Sequence, residues 1–243
     1  RKNCMKRVYY DEWKDKRVNK IENIFGRDWF CGKSVLELGA AHGDIGIHFL
    51  KLGADVLFAD VRIEHLRTIN QKLFELNHNT KTIVLNQNKR YDLERKFDLI
   101  LNTGVLYHLE NWKQDLECAM NHTNVMILES VVSMKKDKEL KIYKSDMMRE
   151  HMKEYAGISD ERFSDFSQED VENHLSDLGC KFFRFDTSEL NTDWSWDSDL
   201  LGINLLTKHI YDWNYEQYEM GYYKVNHSKK DNIHFRRMWL VLK

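Results

Sequence analysis

The feature that most constrains this chain is a short β-rich run, Ser34-Val35-Leu36-Glu37-Leu38, that stops at a glycine-bearing turn, Gly39 to Gly46, and resumes as apolar positions at helical spacing, Ile45, Ile47, Phe49 and Leu50. A strand, a tight turn and a helix in that order form the opening of a parallel α/β unit. The pattern repeats at once. Ala54 to Ala59 reads as a second strand closed by Asp60, and residues 63 to 76 carry Leu66, Ile69, Leu73 and Leu76 on one helical face. Thr82 to Leu85, Phe97 to Leu101 and Val125 to Leu128 supply three further strands, with a helix at Trp112 to Met120 between the last two. Such near-continuous apolar runs suit strands covered on both faces.

Ahead of this rhythm, Tyr9 to Phe25 places Trp13, Val18, Ile21, Ile24 and Phe25 at helical spacing and predicts an amphipathic leading helix within residues 1 to 30. After Val132 the alternation breaks. Residues 134 to 165 are charged and Met-rich, a helix at 167 to 178 starts at Ser167 with Asp170 three positions on, a strand follows at Lys181 to Phe185, and Met238 to Leu242 forms a last strand. The expectation is one domain over residues 1 to 243. Its core spans 31 to 133, and inserts at 134 to 165 and 187 to 230 are expected over the open carboxyl edge of the sheet.

Hydrophobic residues at 42% and a formal net charge of -2 describe a chain that folds and has no general basic excess. That balance disfavours nucleic acid as a partner, because affinity for nucleic acid rests on many phosphate contacts. The basic pairs Lys229-Lys230 and Arg236-Arg237 read first as solvated faces. Cys4, Cys31, Cys118 and Cys180 form no metal-ligand pattern, and no apolar run approaches a membrane span or a signal core. Reduced thiols, a cytoplasmic setting, no membrane association and no required metal are therefore expected.

In open α/β sheets a ligand sits outside the carboxyl ends of the strands, where the first strand-to-helix turn offers backbone N–H groups. Asp60, 21 residues after Gly39, ends the second strand where a carboxylate accepts from the hydroxyls of a ribose. A plain tight turn and a helix-capping Asp are the alternatives for the same residues.

The segment VLELGAAHGDIG at 35 to 46 resembles the first motif of class I S-adenosylmethionine-dependent methyltransferases, in which ELGxxxG replaces the GxGxxG of dehydrogenases. The resemblance implies an α/β, Rossmann-like seven-stranded mixed sheet with its last strand antiparallel, and S-adenosyl-L-methionine as cofactor. It assigns Gly39, Ala40 and Gly43 to the loop around the methionine moiety, Glu37 to its polar end, and Asp60 with Val61 to the ribose. Asn88 stands where relatives often carry an Asp for the adenine amino group, and its amide oxygen can serve, although a plain loop residue fits as well.

Gly104-Val105-Leu106-Tyr107-His108-Leu109 is similar to a segment shared by methyltransferases of transfer-RNA wobble uridine and of glycan-modifying clusters. It implies that Asn102 and Gly104 border the methionine part and that Tyr107 and His108 lie near the reactive methyl. His108 is the candidate general base, with a loop-anchoring hydrogen bond as the alternative; Glu129, ending the fifth strand, is the second candidate, as base or as the group that orients His108.

Residues 191 to 223 hold Trp194, Trp196, Tyr211, Trp213, Tyr215, Tyr218, Tyr222 and Tyr223, against 12% aromatic content overall. Trp194, Tyr211 and Trp213 suit stacking on a sugar face, or the core of a large insert. The tail from His209 to Trp213 and from Arg236 to Trp239 resembles methyltransferases of carbohydrate biosynthesis clusters, which would give Arg236 or Arg237 a phosphate of an activated sugar. Arg17 in the leading helix reads first as a surface cation, with a donor- or acceptor-facing role as the alternative. The expected reaction is O-methylation of a small polar acceptor, a sugar or sugar nucleotide. The rivals are a transfer-RNA methyltransferase and a catalytically silent S-adenosylmethionine-binding subunit.

Overall fold

The computed structural model describes residues 2–133, 166–185 and 234–243. The inserts expected at 134 to 165 and 187 to 230, with Trp194, Tyr211 and Trp213, lie outside those residues. The chain enters through helix α1 (Lys2–Phe25) and then alternates β1 (Ser34–Leu38), α2 (Asp44–Lys51), β2 (Asp55–Asp60), α3 (Ile63–Glu75) and β3 (Thr82–Val84). Strand β4 (Leu99–Thr103), helix α4 (Trp112–Asn121) and strand β5 (Val125–Ser133) follow; helix α5 (Gln168–Asp177), β6 (Lys181–Arg184) and β7 (His234–Leu242) close the fold.

The seven strands lie in the order β3-β2-β1-β4-β5-β7-β6. β1 to β5 pair in parallel, and β7 runs antiparallel between β5 and β6. The seven-stranded mixed sheet with an antiparallel last strand is the architecture expected from the sequence. Its order reverses between β1 and β4, so the turns after these two strands diverge and leave a crevice at the carboxyl edge.

Alternation of side chains across the pleat divides the core in two. Val35, Val56, Phe58, Leu99, Leu101 and Ile127 pack against Val18 and Ile21 of α1, Ile45 and Phe49 of α2, and Ile69 of α3. On the opposite face Leu36, Leu38, Ile100, Leu128 and Trp239 meet Leu116 of α4 and Leu175 of α5. Each such buried side chain contributes about 1.5–3 kcal/mol. Helix α5 starts as its sequence suggested: the Ser167 hydroxyl accepts from the Asp170 amide, and the Asp170 carboxylate accepts from the Ser167 amide at 2.7 Å.

Several boundaries differ from the sequence reading. α1 begins at Lys2 rather than Tyr9. β4 starts at Leu99, with Phe97 making only an isolated bridge to Thr123, and runs on through polar Asn102 and Thr103. β5 and β7 extend to nine residues each because they pair with one another from Val125–Leu242 to Ser133–His234. That ladder draws Glu129, Ser130, Arg236 and Arg237 into the sheet.

Candidate active site

The site is built at the carboxyl edge of β1, β2 and β4. Three residues of the turn after β1 have left-handed backbones: Gly39 (φ 61°), Ala41 (φ 47°) and Gly43 (φ 71°). Gly39 also lies so close to Val105, in the loop after β4, that a Cβ there would meet Val105 Cγ2 at 2.6 Å. Both the conformation and the space demand glycine.

Glu37 supplies what Gly43 lacks. Gly43 caps α2 and has no side chain, so the Glu37 carboxylate reaches from β1 and accepts from the Gly46 amide at 3.1 Å, in the first turn of the helix. Gly46 leaves the room, since a Cβ there would collide with Glu37 and Phe58. Only 3% of Glu37 is exposed, and burial pushes its carboxyl up to about 8 despite the Gly46 hydrogen bond, with the negative charges of Asp44 and Asp60 adding to the rise.

Asp60 ends β2 and ties the turn down from the other side. Its Oδ2 accepts from the Ala41 amide at 2.9 Å and faces His65 Nδ1 at 3.1 Å, and its Oδ1 accepts from the Arg62 amide at 2.8 Å. Burial would raise this carboxyl; the His65 and Arg62 contacts reverse the effect and hold it below the usual range, so it is ionised. Lys72 on α3 secures the turn further by donating to the His42 carbonyl at 2.8 Å and to Asp44. Ala40 is buried and donates its amide to the Ala59 carbonyl, while Val61 is half-buried beside Asp60.

Asn88 lies in the loop after β3, where its side-chain oxygen accepts from the Asn111 amide at 3.1 Å and its carbonyl from Asn111 Nδ2 at 2.9 Å. It thus links that loop to the start of α4. Asn102 at the end of β4 is fully buried and donates its Nδ2 to Asp115 Oδ2 at 2.9 Å. Its Oδ1 has no hydrogen-bond partner among the described residues.

Beyond β4, residues Leu106–His108 form a short 3-10 turn that brings the rings of Tyr107 and His108 together at 4.1 Å between centroids, tilted by 42°. Burial lowers the affinity of His108 for a proton to a pKa of about 3, and the positive charges of Arg62 and Arg236 deepen the shift. The imidazole is neutral. Glu129 Oε1 accepts from Arg236 Nη1 at 2.8 Å and from Arg17 Nη2 at 3.3 Å, all three residues being buried. Burial raises the Glu129 carboxyl, but the two guanidiniums more than offset it and keep the group ionised. This carboxylate therefore serves as the counter-ion of two arginines drawn from opposite ends of the chain.

Two expectations need correction here. Arg17 is not at the surface: it is fully buried against Glu129 on the α1 side of the sheet. Arg236 and Arg237 are not a solvated pair. Both are buried, and as neighbours on β7 they point to opposite faces, Arg236 to Glu129 and Arg237 to Gln168 Oε1 at 2.8 Å. One acceptor group cannot lie between them.

The sequence reading also missed the Asp115 cluster. Asp115 is fully buried on α4 and gathers Gln87, Tyr91 and Asn102 around its carboxylate. The available signal was periodicity, because Asp115 shares a helical face with Trp112, Leu116 and Ala119. Among the described residues no group of three or more His, Cys, Asp and Glu comes together to hold a metal ion, and no helix is long and apolar enough to cross a membrane.

A glycine turn clamped by two buried carboxyl groups, at the strand-order reversal of a seven-stranded mixed sheet, defines a Rossmann-like α/β protein. Solved structures share the fold. A S-adenosylmethionine-dependent methyltransferase from Clostridium acetobutylicum is 13% identical with a TM-score of 0.56, over 99% of this chain and 98% of that one. Magnesium protoporphyrin IX methyltransferase from Synechocystis, solved with S-adenosylmethionine bound, is 16% identical with a TM-score of 0.52, over 73% and 72% of the two chains. The N-terminal domain of EvdMO1, crystallised in the presence of S-adenosylhomocysteine and D-fucose, is 16% identical with a TM-score of 0.56, over 71% and 76%. No curated protein sequence gives a significant match. The sequence model of a methyltransferase domain matches residues 12–184, well over half of the chain, and the protein belongs to that family.

Proposed function

We propose that the protein binds S-adenosyl-L-methionine at the carboxyl edge of β1, β2 and β4 and methylates a hydroxyl of a small polar acceptor, a sugar or sugar nucleotide. The observation that carries the donor half is the tie between the ionised Asp60 carboxylate and the Ala41 amide of the glycine turn. It keeps an ionised carboxylate at the end of β2 beside the glycine turn, which suits a ribose next to a methionine moiety. The Oδ1 of Asn102, buried and without a partner among the described residues, fits the same donor, which brings N–H groups.

On this reading Gly39, Ala40 and Gly43 shape the methionine end with Glu37 beneath them, Asp60 and Val61 hold the ribose, Asn88 lies toward the adenine, Asn102 borders the methionine part, and Tyr107 lies near the methyl. S-adenosyl-L-methionine supplies a methyl group already activated by its sulfonium, so the chain's own task is alignment and removal of one hydroxyl proton. His108 fits the proton task better than Glu129, whose Oε1 is held by Arg17 and Arg236. A neutral imidazole keeps a lone pair, though a weakly basic one. An anionic group on the acceptor would offset Arg62 and Arg236 and strengthen His108 as a base, which favours a nucleotide-linked sugar over a neutral one. In this scheme the inserts at 134 to 165 and 187 to 230, with Trp194, Tyr211 and Trp213, form the acceptor side, and Arg236 or Arg237, not both, meets a phosphate. Crystallisation of the EvdMO1 N-terminal domain in the presence of D-fucose is in keeping with a sugar acceptor.

The test is a panel of sugar nucleotides and bulk transfer RNA, read by release of S-adenosylhomocysteine, together with calorimetric binding of S-adenosylhomocysteine. Release with a sugar nucleotide is the expected result; release with transfer RNA alone replaces the acceptor assignment. Binding without turnover on any acceptor favours the silent subunit. Binding of NAD(H) but not S-adenosylhomocysteine overturns the donor assignment.

A further inference from the structure

We propose that Asp115 is a positioning residue that locks the Asn102 amide so that its carbonyl oxygen faces the α-ammonium group of S-adenosyl-L-methionine. The proposal rests on the donor reading above. Asp115 Oδ2 accepts from Asn102 Nδ2 at 2.9 Å, both Asp115 oxygens accept from Gln87 Nε2 at 3.1 Å, and Oδ1 accepts from the Tyr91 hydroxyl at 3.1 Å. A carboxylate only accepts, so an amide that packs on it must present its NH2 group. A half-turn of the Asn102 amide would press one acceptor oxygen against another. The Asn102 oxygen is therefore fixed on the side away from Asp115, where it is buried and lacks a partner among the described residues.

A buried carbonyl without a donor is costly, and such groups in native proteins commonly mark a functional site. Asn102 sits at the end of β4, in register with Leu38, the residue that precedes the Gly39 turn. That is the methionine end of the proposed donor site, where the α-ammonium is the N–H donor at hand. The three side chains that donate to Asp115 are all neutral; burial lifts its carboxyl to about 6, which leaves it ionised at neutral pH and its charge attractive to a cation.

The experiment uses calorimetry on the full chain with two ligands, S-adenosylhomocysteine and 5′-methylthioadenosine, the second of which keeps the adenosine but lacks the ammonium. Asp115→Asn places a second amide in the cluster and frees Asn102 to turn. S-adenosylhomocysteine should then bind about tenfold more weakly, a charge-assisted hydrogen bond's worth, with 5′-methylthioadenosine within about twofold of the parent. Tyr91→Phe, at a partly exposed position, removes one of the donors that hold Asp115 and gives a milder test should Asp115→Asn not fold. It should weaken S-adenosylhomocysteine about threefold and leave the second ligand unchanged. Equal losses for the two ligands, or no loss for either, overturn the proposal with the donor reading intact. A parent protein that binds neither ligand overturns both.

Discussion

Glu37→Gln should make the protein more stable and its donor site weaker, and the effect on stability should grow with pH. Glu37 is buried under the first turn of α2 with a carboxyl pushed up to about 8 from an ordinary value of 4.5. Between these two values the folded protein keeps a proton that the unfolded chain has released. The number of protons bound is then smaller in the unfolded state, so stability falls as pH rises, by about 1.4 kcal/mol per pH unit. The Glu37 contribution is intact below pH 4.5, has cost about 3 kcal/mol at pH 7, and levels off above pH 8.

Glutamine keeps the oxygen that accepts from the Gly46 amide and carries no charge, so the variant escapes this loss. Relative to the parent it should gain little at pH 5 and about 3 kcal/mol at pH 7, equivalent to roughly 6–12 °C in melting temperature for a chain of this size. Urea unfolding of both proteins at pH 5, 6, 7 and 8 reads the difference. The diagnostic is the slope with pH, since a constant offset would reflect only how the new NH2 group packs. A difference that stays flat from pH 5 to 8, or a variant that loses ground as pH rises, would refute the buried-carboxyl argument. S-adenosylhomocysteine affinity, followed in parallel, should fall by about tenfold if Glu37 orders the methionine end of the site.

Gly39→Ala meets both a left-handed backbone and the Val105 side chain, so it should destabilise the fold by about 2–3 kcal/mol in urea titrations and abolish measurable S-adenosylhomocysteine binding. Retained affinity would show that the β1 turn does not carry the donor. Glu129→Ala leaves Arg17 and Arg236 buried without their shared carboxylate and should cost about 3–5 kcal/mol of unfolding free energy; a loss below about 1 kcal/mol would mean the pair of ion pairs is hydrated or dispensable. Once an acceptor is found, His108 should give no inflection near pH 6.5 in kcat/KM, which reports the free enzyme, but should appear in kcat if a bound anionic acceptor restores its basicity. An inflection present in both profiles and lost in His108→Gln would contradict the environment described for this imidazole.

What the sequence determined by itself is the local grammar. Strand and helix periods in residues 34 to 128 dictate a parallel α/β core, Gly39 and Gly43 announce a tight turn, and Ser167 with Asp170 announces the start of α5, because each of these rests on residues close together in the chain. Tertiary structure decided what arises between distant segments. Nothing near Glu129 indicates that Arg17 and Arg236, 112 and 107 residues away, will share its oxygen, nor that Arg236 and Arg237 will face opposite sides of a strand seated between β5 and β6. Asp115 is a further case: its helical face was readable, but Gln87, Tyr91 and Asn102 reach it only once β3, β4 and α4 are assembled. Periodicity records which face of an element is buried, whereas the protonation of Glu37, the neutrality of His108 and the lock on Asn102 depend on which charges and hydrogen bonds the completed sheet brings within reach.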